Sequence, residues 1–165
     1  MNDELHPSVL VRLLSIGFFL VFALAALVWF ALSMNDLTTA LSSGLPVVGF
    51  DKGSTYMLGA GIGGLIIVIG GVIQGLLRKN LTPRAKTLFA RSLIFSLILM
   101  FGFPHIAHYA VTSYTQQENY QVCSDATYRW ALYSKFYYTK NNLACSELVK
   151  QNEITKKSYR KVIKL

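Results

Sequence analysis

The sequence predicts an all-α membrane protein, with three transmembrane helices and a small disulfide-stapled helical domain outside the membrane. The first observation is composition: of 165 residues, 53% are apolar and only 15% are charged, whereas a soluble domain carries about a quarter charged residues. The second is that three long runs contain almost no charged residues. The third is that both cysteines follow the last run. This pattern argues against a soluble enzyme, a disordered tail or a nucleic-acid-binding module.

The three weakly charged runs predict transmembrane spans at about residues 9–33, 56–77 and 88–111. About 20 apolar residues cross a hydrocarbon core of about 30 Å, and each run is long enough. The first run is also longer than the apolar region of a cleaved signal peptide, which has about 7–15 residues behind a basic start. We therefore expect a retained anchor, a three-span bundle over residues 1–111 and a separate domain over 112–165.

The second predicted span is rich in glycine, and the spacing of its glycines defines two stripes of small residues. One stripe contains Gly59 and Gly63, and the neighbouring one contains Gly64, Gly71 and Gly75. Small residues allow membrane helices to approach closely. We expect these stripes to pack against the first and third spans. A homo-oligomer or a partner helix using the same stripes stays open at this stage.

The distribution of basic residues predicts the orientation of the spans. The segment between spans two and three carries five basic residues and no acid: Arg78, Lys79, Arg84, Lys86 and Arg91. The loop over 35–55 carries only Lys52, against Asp36 and Asp51. Because short basic loops stay in the cytoplasm, the amino terminus is predicted in the cytoplasm and the carboxyl domain on the outer side of the membrane.

Cys123 and Cys145, the two cysteines of the chain, are predicted to form a disulfide in the exported domain. An isolated cysteine pair in an extramembrane domain fits an oxidising compartment. A bridge over this separation contributes about 3 kcal/mol in the chain-entropy model, which a domain of this size needs. Two free cytoplasmic thiols are the alternative. A metal site is disfavoured because neither cysteine has a CxxC neighbour.

Within the carboxyl domain, a helix is predicted directly after Cys123, with Ser124 or Asp125 as its cap. Aromatic and apolar residues at helical spacing predict two adjacent stripes: Tyr128, Leu132 and Phe136, and then Trp130, Tyr133 and Tyr137. A second short helix is predicted over residues 143–151. The aromatic residues form either the core of the domain or a surface that binds a protein partner; Lys135 and Lys140 would add positive charge to such a surface.

Residues that could support catalysis are scarce, so the sequence predicts neither an enzyme, nor a cofactor, nor a metal site. It contains no phosphate-binding glycine loop, no HExxH and no nucleophile elbow. His105 and His108 share a face of the third span. They would form either an interfacial polar pair or part of a haem or metal site. The latter needs further ligands, and His6 is predicted at the opposite membrane face.

Two stretches carry a resemblance to a known group of proteins. Pro104-His105-Ile106-Ala107-His108-Tyr109, at the end of the third span, is followed by Asn119-Tyr120-Gln121-Val122-Cys123. With the glycine-rich span, this resembles small enterobacterial inner-membrane proteins, some of which resemble immunity proteins against membrane-active toxins. The resemblance implies a bacterial inner membrane, a periplasmic carboxyl domain and a toxin as protein partner. The three apolar runs themselves predict membrane lipids as surroundings. It carries over no contact residue.

Three functions therefore follow as hypotheses. The first is an inner-membrane immunity protein that neutralises a membrane-active bacterial toxin. The second is a small accessory or assembly subunit of a larger inner-membrane complex, docked through the glycine stripes. The third, ranked last, is a membrane enzyme or haem protein that uses His105 and His108. The net charge of the carboxyl domain, +5 from nine basic and four acidic residues, favours an acidic partner.

Overall fold

The computed structural model describes residues 8–130 and 133–163, with side chains through residue 157. In chain order its elements are α1 (Val9–Ser42), β1 (Val47–Asp51), α2 (Lys52–Gly70), a π-helix (Gly71–Leu76), α3 (Pro83–Gln117), β2 (Gln121–Val122), β3 (Tyr128–Trp130), β4 (Tyr133–Thr139) and α4 (Asn142–Ile163). His6 and Leu132, which were named in the sequence analysis, lie outside the described residues, as do the side chains beyond Lys157.

The chain divides into two compact units. The membrane unit contains the described residues of Met1–Ala31 together with Ser54–Phe103. The sheet unit contains Leu32–Gly53 and the described residues of Pro104–Leu165. The helices α1 and α3 each contribute residues to both units.

Three helices are long and apolar enough to cross a membrane: Val9–Ser42, Lys52–Leu76 and Pro83–Gln117. The number of candidate spans therefore agrees with the prediction of a three-span membrane protein. All three helices start or end beyond the predicted bounds. The 34 residues of α1 rise roughly 51 Å at 1.5 Å per residue, against a hydrocarbon core of about 30 Å. The segment over 35–55 that was predicted as a loop therefore contains the last turns of α1, and then β1.

Local sequence explains where the long helices begin and end. Thr82 caps α3 by accepting a hydrogen bond from the backbone N–H of Ala85 at 3.3 Å, and Pro83 occupies the first helical position, where no donor is needed. Past the end of α1, Gly44 adopts a φ of 61°. The N–H of Leu45 then reaches the carbonyl of Ala40 at 3.2 Å, which completes a Schellman cap.

In the membrane unit, the glycine stripe formed by Gly59 and Gly63 faces α3. A Cβ on Gly59 would overlap the backbone of Met100, and one on Gly63 would lie 2.9 Å from the Ser96 hydroxyl. The helices pack this closely because a glycine has no side chain to separate them.

The second glycine stripe faces α1. A Cβ on Gly64 would lie 2.9 Å from the Ala23 Cβ, and one on Gly71 would lie 3.1 Å from the Ile16 side chain. Gly75 is looser, with Ile16 at 4.0 Å from such a Cβ. The two stripes therefore contact two different helices of the same chain.

The π-helix replaces the last α-helical turns predicted for the second span. Its wider turns are shown by the hydrogen bond that the Leu77 N–H donates to the carbonyl of Val72, five residues earlier, at 3.0 Å. Arg12 donates a hydrogen bond to the Gly75 carbonyl at 3.2 Å. The basic residue at the start of α1 therefore satisfies a carbonyl at the end of this helical segment.

The sheet unit is built around β4, which pairs with three strands. Antiparallel β1 runs along one edge in the register Val48↔Tyr138 and Phe50↔Phe136. On the other edge, β2 pairs with the end of β4 and β3 with its beginning. Alternating buried residues show that one sheet face forms the core. The buried cluster is Leu37, Val48, Phe50, Tyr120, Phe136 and Tyr138.

These strands correct the prediction of a helix after Cys123, and with it the purely helical fold of the carboxyl domain. Residues 124–126 form a turn, and Thr127 donates its hydroxyl to the Cys123 carbonyl at 2.9 Å instead of continuing a helix. The aromatic residues that follow are strand formers. Over so short a run, their spacing is compatible with either a helix or a strand. Pairing with β1 favours the strand, because it buries Phe136 and Tyr138.

The predicted disulfide joins Cys123, directly after β2, to Cys145 in the first turn of α4, with their Cα atoms 5.6 Å apart. The second predicted helix exists and is longer than expected. Asn141 caps it by accepting a hydrogen bond from the Ala144 N–H at 2.8 Å. The disulfide therefore links a helix to the strand-bearing segment, where two helices had been expected.

Candidate functional site

The second face of the sheet carries most of the side chains predicted to bind a partner. Tyr133, Lys135 and Tyr137 alternate along β4 and so point to the same side. Trp130 pairs directly with Tyr133, which places it on that side as well. We call these four residues, together with Tyr128, which pairs with Lys135, the aromatic face. Trp130, Tyr133 and Tyr137 were predicted to share a helix face, and they share a strand face instead.

Tyr133 is fixed in position by its neighbours on the aromatic face. Its ring centroid lies 6.0 Å from that of Tyr128, and its hydroxyl is hydrogen-bonded to the Asp51 carboxylate. Burial, and then the negative charge of Asp51, raise the pKa of the Tyr133 hydroxyl. Tyr133 is therefore a neutral hydrogen-bond donor across the physiological pH range.

Tyr137 lies across the backbone of the neighbouring strand. Its ring would be 3.4 Å from a Cβ on Gly49, which is its direct partner in β1. The ammonium group of Lys135 lies 5.5 Å from the Tyr137 ring centroid. This cation–π contact keeps a positive charge over the aromatic face.

The accessible part of the aromatic face lies at its β3 end. Trp130 is 71% exposed and Tyr128 is 50% exposed. Beside them, a cleft of about 350 Å³ runs between this face and α4. Its walls include Tyr128 and Tyr137 on one side and Val149, Glu153 and Lys156 on the other. The arrangement offers apolar rings for anchoring and both signs of charge at the rim.

Lys140 does not join the aromatic face, contrary to its grouping with Lys135 in the sequence analysis. It follows the far end of β4, seven residues and roughly 23 Å along the strand direction from Tyr133. There its ammonium group donates a hydrogen bond to the Gly44 carbonyl at 3.1 Å. It also lies 5.1 Å from the Tyr120 ring centroid. Lys140 therefore ties the end of the sheet to the turn after α1.

His108 packs into the core face of the sheet unit. Its ring stacks on that of Phe50, with the centroids 6.0 Å apart, and is tilted against that of Phe136, with the centroids 4.5 Å apart. Its Nδ1 is buried, with no hydrogen-bond partner among the described residues. His105 is exposed, so the two histidines have different surroundings. Within the described part of the chain, no group of three or more His, Cys, Asp or Glu side chains could hold a metal ion.

Sequence reasoning missed several residues that shape the aromatic face. Asp51 and Gly49 belong to β1, in a segment predicted as loop, and Tyr128 was assigned to another helix stripe. The available signal was the alternation in Val47-Val48-Gly49-Phe50-Asp51 after Pro46, which is typical of a short strand. Its residues pair with residues 84 to 92 positions later in the sequence, so the pairing itself has no local signal.

Comparison with known proteins identifies one matching protein family. Residues 48–146 match the family model described as "Protein of unknown function (DUF1240)". The matched segment begins in β1 and ends just after Cys145, so it includes the aromatic face and both cysteines. No curated protein and no solved structure matches this chain. Because the match covers more than half of the 165 residues, the chain belongs to the DUF1240 family.

Proposed function

We propose that this chain is an immunity protein of a bacterial inner membrane, which binds and neutralises a membrane-active toxin. The observation that carries the proposal is the aromatic face, which lies on the sheet unit, a frame cross-linked by the Cys123–Cys145 disulfide. Exposed Trp and Tyr side chains dominate the binding energy of protein interfaces. A frame that already holds Tyr133 and Tyr137 in place reduces the conformational entropy lost on binding.

The electrostatics of the carboxyl segment support an acidic partner. Residues 112–165 carry nine basic and four acidic residues, a net charge of +5. On the aromatic face itself, Lys135 is held over Tyr137. A positive surface accelerates encounter with an acidic protein at low ionic strength.

The packing of the glycine stripes bears on the alternative, an accessory subunit docked through those stripes. Gly59 and Gly64 already contact α3 and α1 of the same chain. A partner helix, or a second copy of this chain, would have to use another surface. We therefore rank the accessory subunit second.

The proposal requires the sheet unit to face the periplasm, with the basic segment around Arg84 in the cytoplasm. A periplasmic alkaline phosphatase reporter fused after Glu118, just past α3, should be active. The same reporter fused after Asn80, between the second and third spans, should be inactive. The reverse pattern would contradict the orientation, and with it a toxin arriving from outside.

The function is tested by competition with toxin-producing sibling cells. A deletion strain should grow normally alone and be killed in mixed culture, and the intact gene should restore survival. Trp130→Ala should weaken protection, because truncating an exposed aromatic anchor costs about 2 kcal/mol or more, roughly thirtyfold in affinity. Lys135→Ala should weaken it less, since a peripheral charge acts mainly on the association rate.

Trp29→Ala is the matched control, because Trp29 lies in the membrane unit and is 42% exposed. It should protect as well as the unmodified chain at equal protein level. A deletion strain that grows poorly alone, with a transport or respiration defect and no sibling-dependent killing, would refute immunity. That result would favour the accessory subunit.

A further inference from the structure

A groove of about 410 Å³ lies in the membrane unit, between the end of the second span and the beginning of α3. Ile66, Ile67, Phe89 and Leu93 give it an apolar lining. Gln74 and Lys86 are polar side chains of the same lining. Lys86 lies in the first turn of α3, where a transmembrane helix emerges among lipid headgroups. The groove therefore combines an acyl-chain surface with one positive charge at headgroup level.

We infer that this groove binds an anionic diacyl phospholipid of the phosphatidylglycerol class. One acyl chain lies along Ile66, Phe89 and Leu93, and the phosphate meets the Lys86 ammonium group. Charge complementarity favours an anionic lipid, because residues 78–91 carry five basic residues and no acid. Basic pockets between transmembrane helices are typical sites for anionic headgroups. The inference does not depend on the proposed function or on the orientation of the chain.

Gly70 offers a way to close the groove. A Cβ at this position would lie 3.5 Å from the Phe89 ring, an ordinary contact distance. Gly70→Ala should therefore leave the groove open, whereas the longer side chain of Gly70→Leu should occupy it. Arg91 offers a matched charge control, since it lines a neighbouring surface groove with Arg84, Thr87 and Leu88.

The test uses the full chain in a non-ionic detergent, titrated with phosphatidylglycerol or phosphatidylcholine of identical acyl chains, with bound lipid counted by native mass spectrometry. The first phosphatidylglycerol should bind about fivefold more tightly than phosphatidylcholine, as expected for one lysine near the headgroup. Lys86→Gln should remove this preference and Arg91→Gln should keep it. Gly70→Leu should lose both lipids, and Gly70→Ala should keep both.

Three results would overturn the inference. The first is no preference for phosphatidylglycerol in the unmodified chain. The second is an equal loss in Lys86→Gln and Arg91→Gln, which would indicate diffuse attraction to the basic segment. The third is unchanged binding by a folded Gly70→Leu variant. If that variant does not fold, the comparison of Lys86→Gln with Arg91→Gln decides.

Discussion

The ring of Tyr133 lies against Gly53 so closely that a Cβ on the glycine would overlap the Cδ2 atom of the ring. The same Cβ would lie 3.0 Å from an oxygen of Asp51, the hydrogen-bond partner of Tyr133. A glycine in the first turn of α2 therefore allows the aromatic face to extend past the end of β1. Position 53 requires glycine for this close approach.

From this contact we predict that Gly53→Ala displaces the Tyr133 ring and breaks its hydrogen bond to Asp51. The free energy of unfolding should fall by about 1 kcal/mol. The pKa of Tyr133 should move down toward its ordinary value, because burial and the Asp51 charge are what raise it. Ultraviolet titration of Tyr133, compared with a Tyr133→Phe variant, measures the pKa. An unchanged pKa and stability would contradict the contact.

A second prediction concerns the packing of the membrane unit. Gly59→Ala should destabilise it by about 1–3 kcal/mol, because the added methyl group meets the Met100 backbone, which cannot rotate away. Gly102→Ala is the control, since a Cβ placed there would have no described atom within 4 Å apart from its chain neighbours and the backbone of its own helix. Thermal unfolding in detergent compares the two. Equal tolerance of both substitutions would mean that α2 and α3 are not in close contact at Gly59.

A third prediction concerns the disulfide between Cys123 and Cys145, which are 22 residues apart in the chain. Reduction should destabilise the sheet unit by about 3 kcal/mol, because the open chain regains loop entropy when it unfolds. Denaturant unfolding with and without dithiothreitol measures this difference. The Cys123→Ser, Cys145→Ser double variant should be as stable as the reduced chain, and dithiothreitol should not change its stability. Two alkylatable thiols in protein from an oxidising compartment would contradict the bridge.

The fourth prediction concerns Tyr138, whose hydroxyl is hydrogen-bonded to that of Thr112 at 2.9 Å. Burial raises the pKa of Tyr138, and the bond to Thr112 offsets part of that rise. The unfolded chain has the ordinary tyrosine pKa of about 10, so it releases this proton at lower pH than the folded chain. The stability tied to Tyr138 is thus intact below about pH 10 and is lost as pH rises through the folded pKa.

Tyr138→Phe should remove this alkaline loss, at a cost of about 1 kcal/mol near neutral pH for the missing hydrogen bond. Unfolding free energies measured between pH 7 and pH 11.5 compare the variant with the unmodified chain. Tyr114→Phe is a suitable control, because Tyr114 is 46% exposed. Parallel pH curves for Tyr138→Phe and the unmodified chain would contradict a buried, protonated Tyr138.

The family match covers the aromatic face and both cysteines, but the description of the family assigns no activity. The immunity proposal therefore depends on the chemistry of Trp130, Tyr133 and Lys135 and on the charge of the carboxyl segment. The sibling-killing experiment tests that proposal directly, and the lipid titration can fail or succeed independently of it.

Sequence reasoning reached the features that local composition controls. The three helices long enough to span a membrane follow from long runs with almost no charged residues, because the hydrocarbon core disfavours ionised groups. The disulfide followed from Cys123 and Cys145 being the only cysteines. The helix predicted over residues 143–151 corresponds to the beginning of α4, which the Asn141 side chain caps in the structure.

The aromatic residues after Cys123 show where local reasoning ended. Tyr133, Phe136 and Tyr137 fit a helical period and a strand period about equally over so short a run. Only the tertiary structure decided between them, by pairing β4 with a strand from the distant segment 47–51. Burial of Phe50 and Phe136 on one face of that pair leaves Tyr133 and Tyr137 on the other. Hydrophobic runs thus set the membrane helices, while long-range strand pairing set the surface we propose for function.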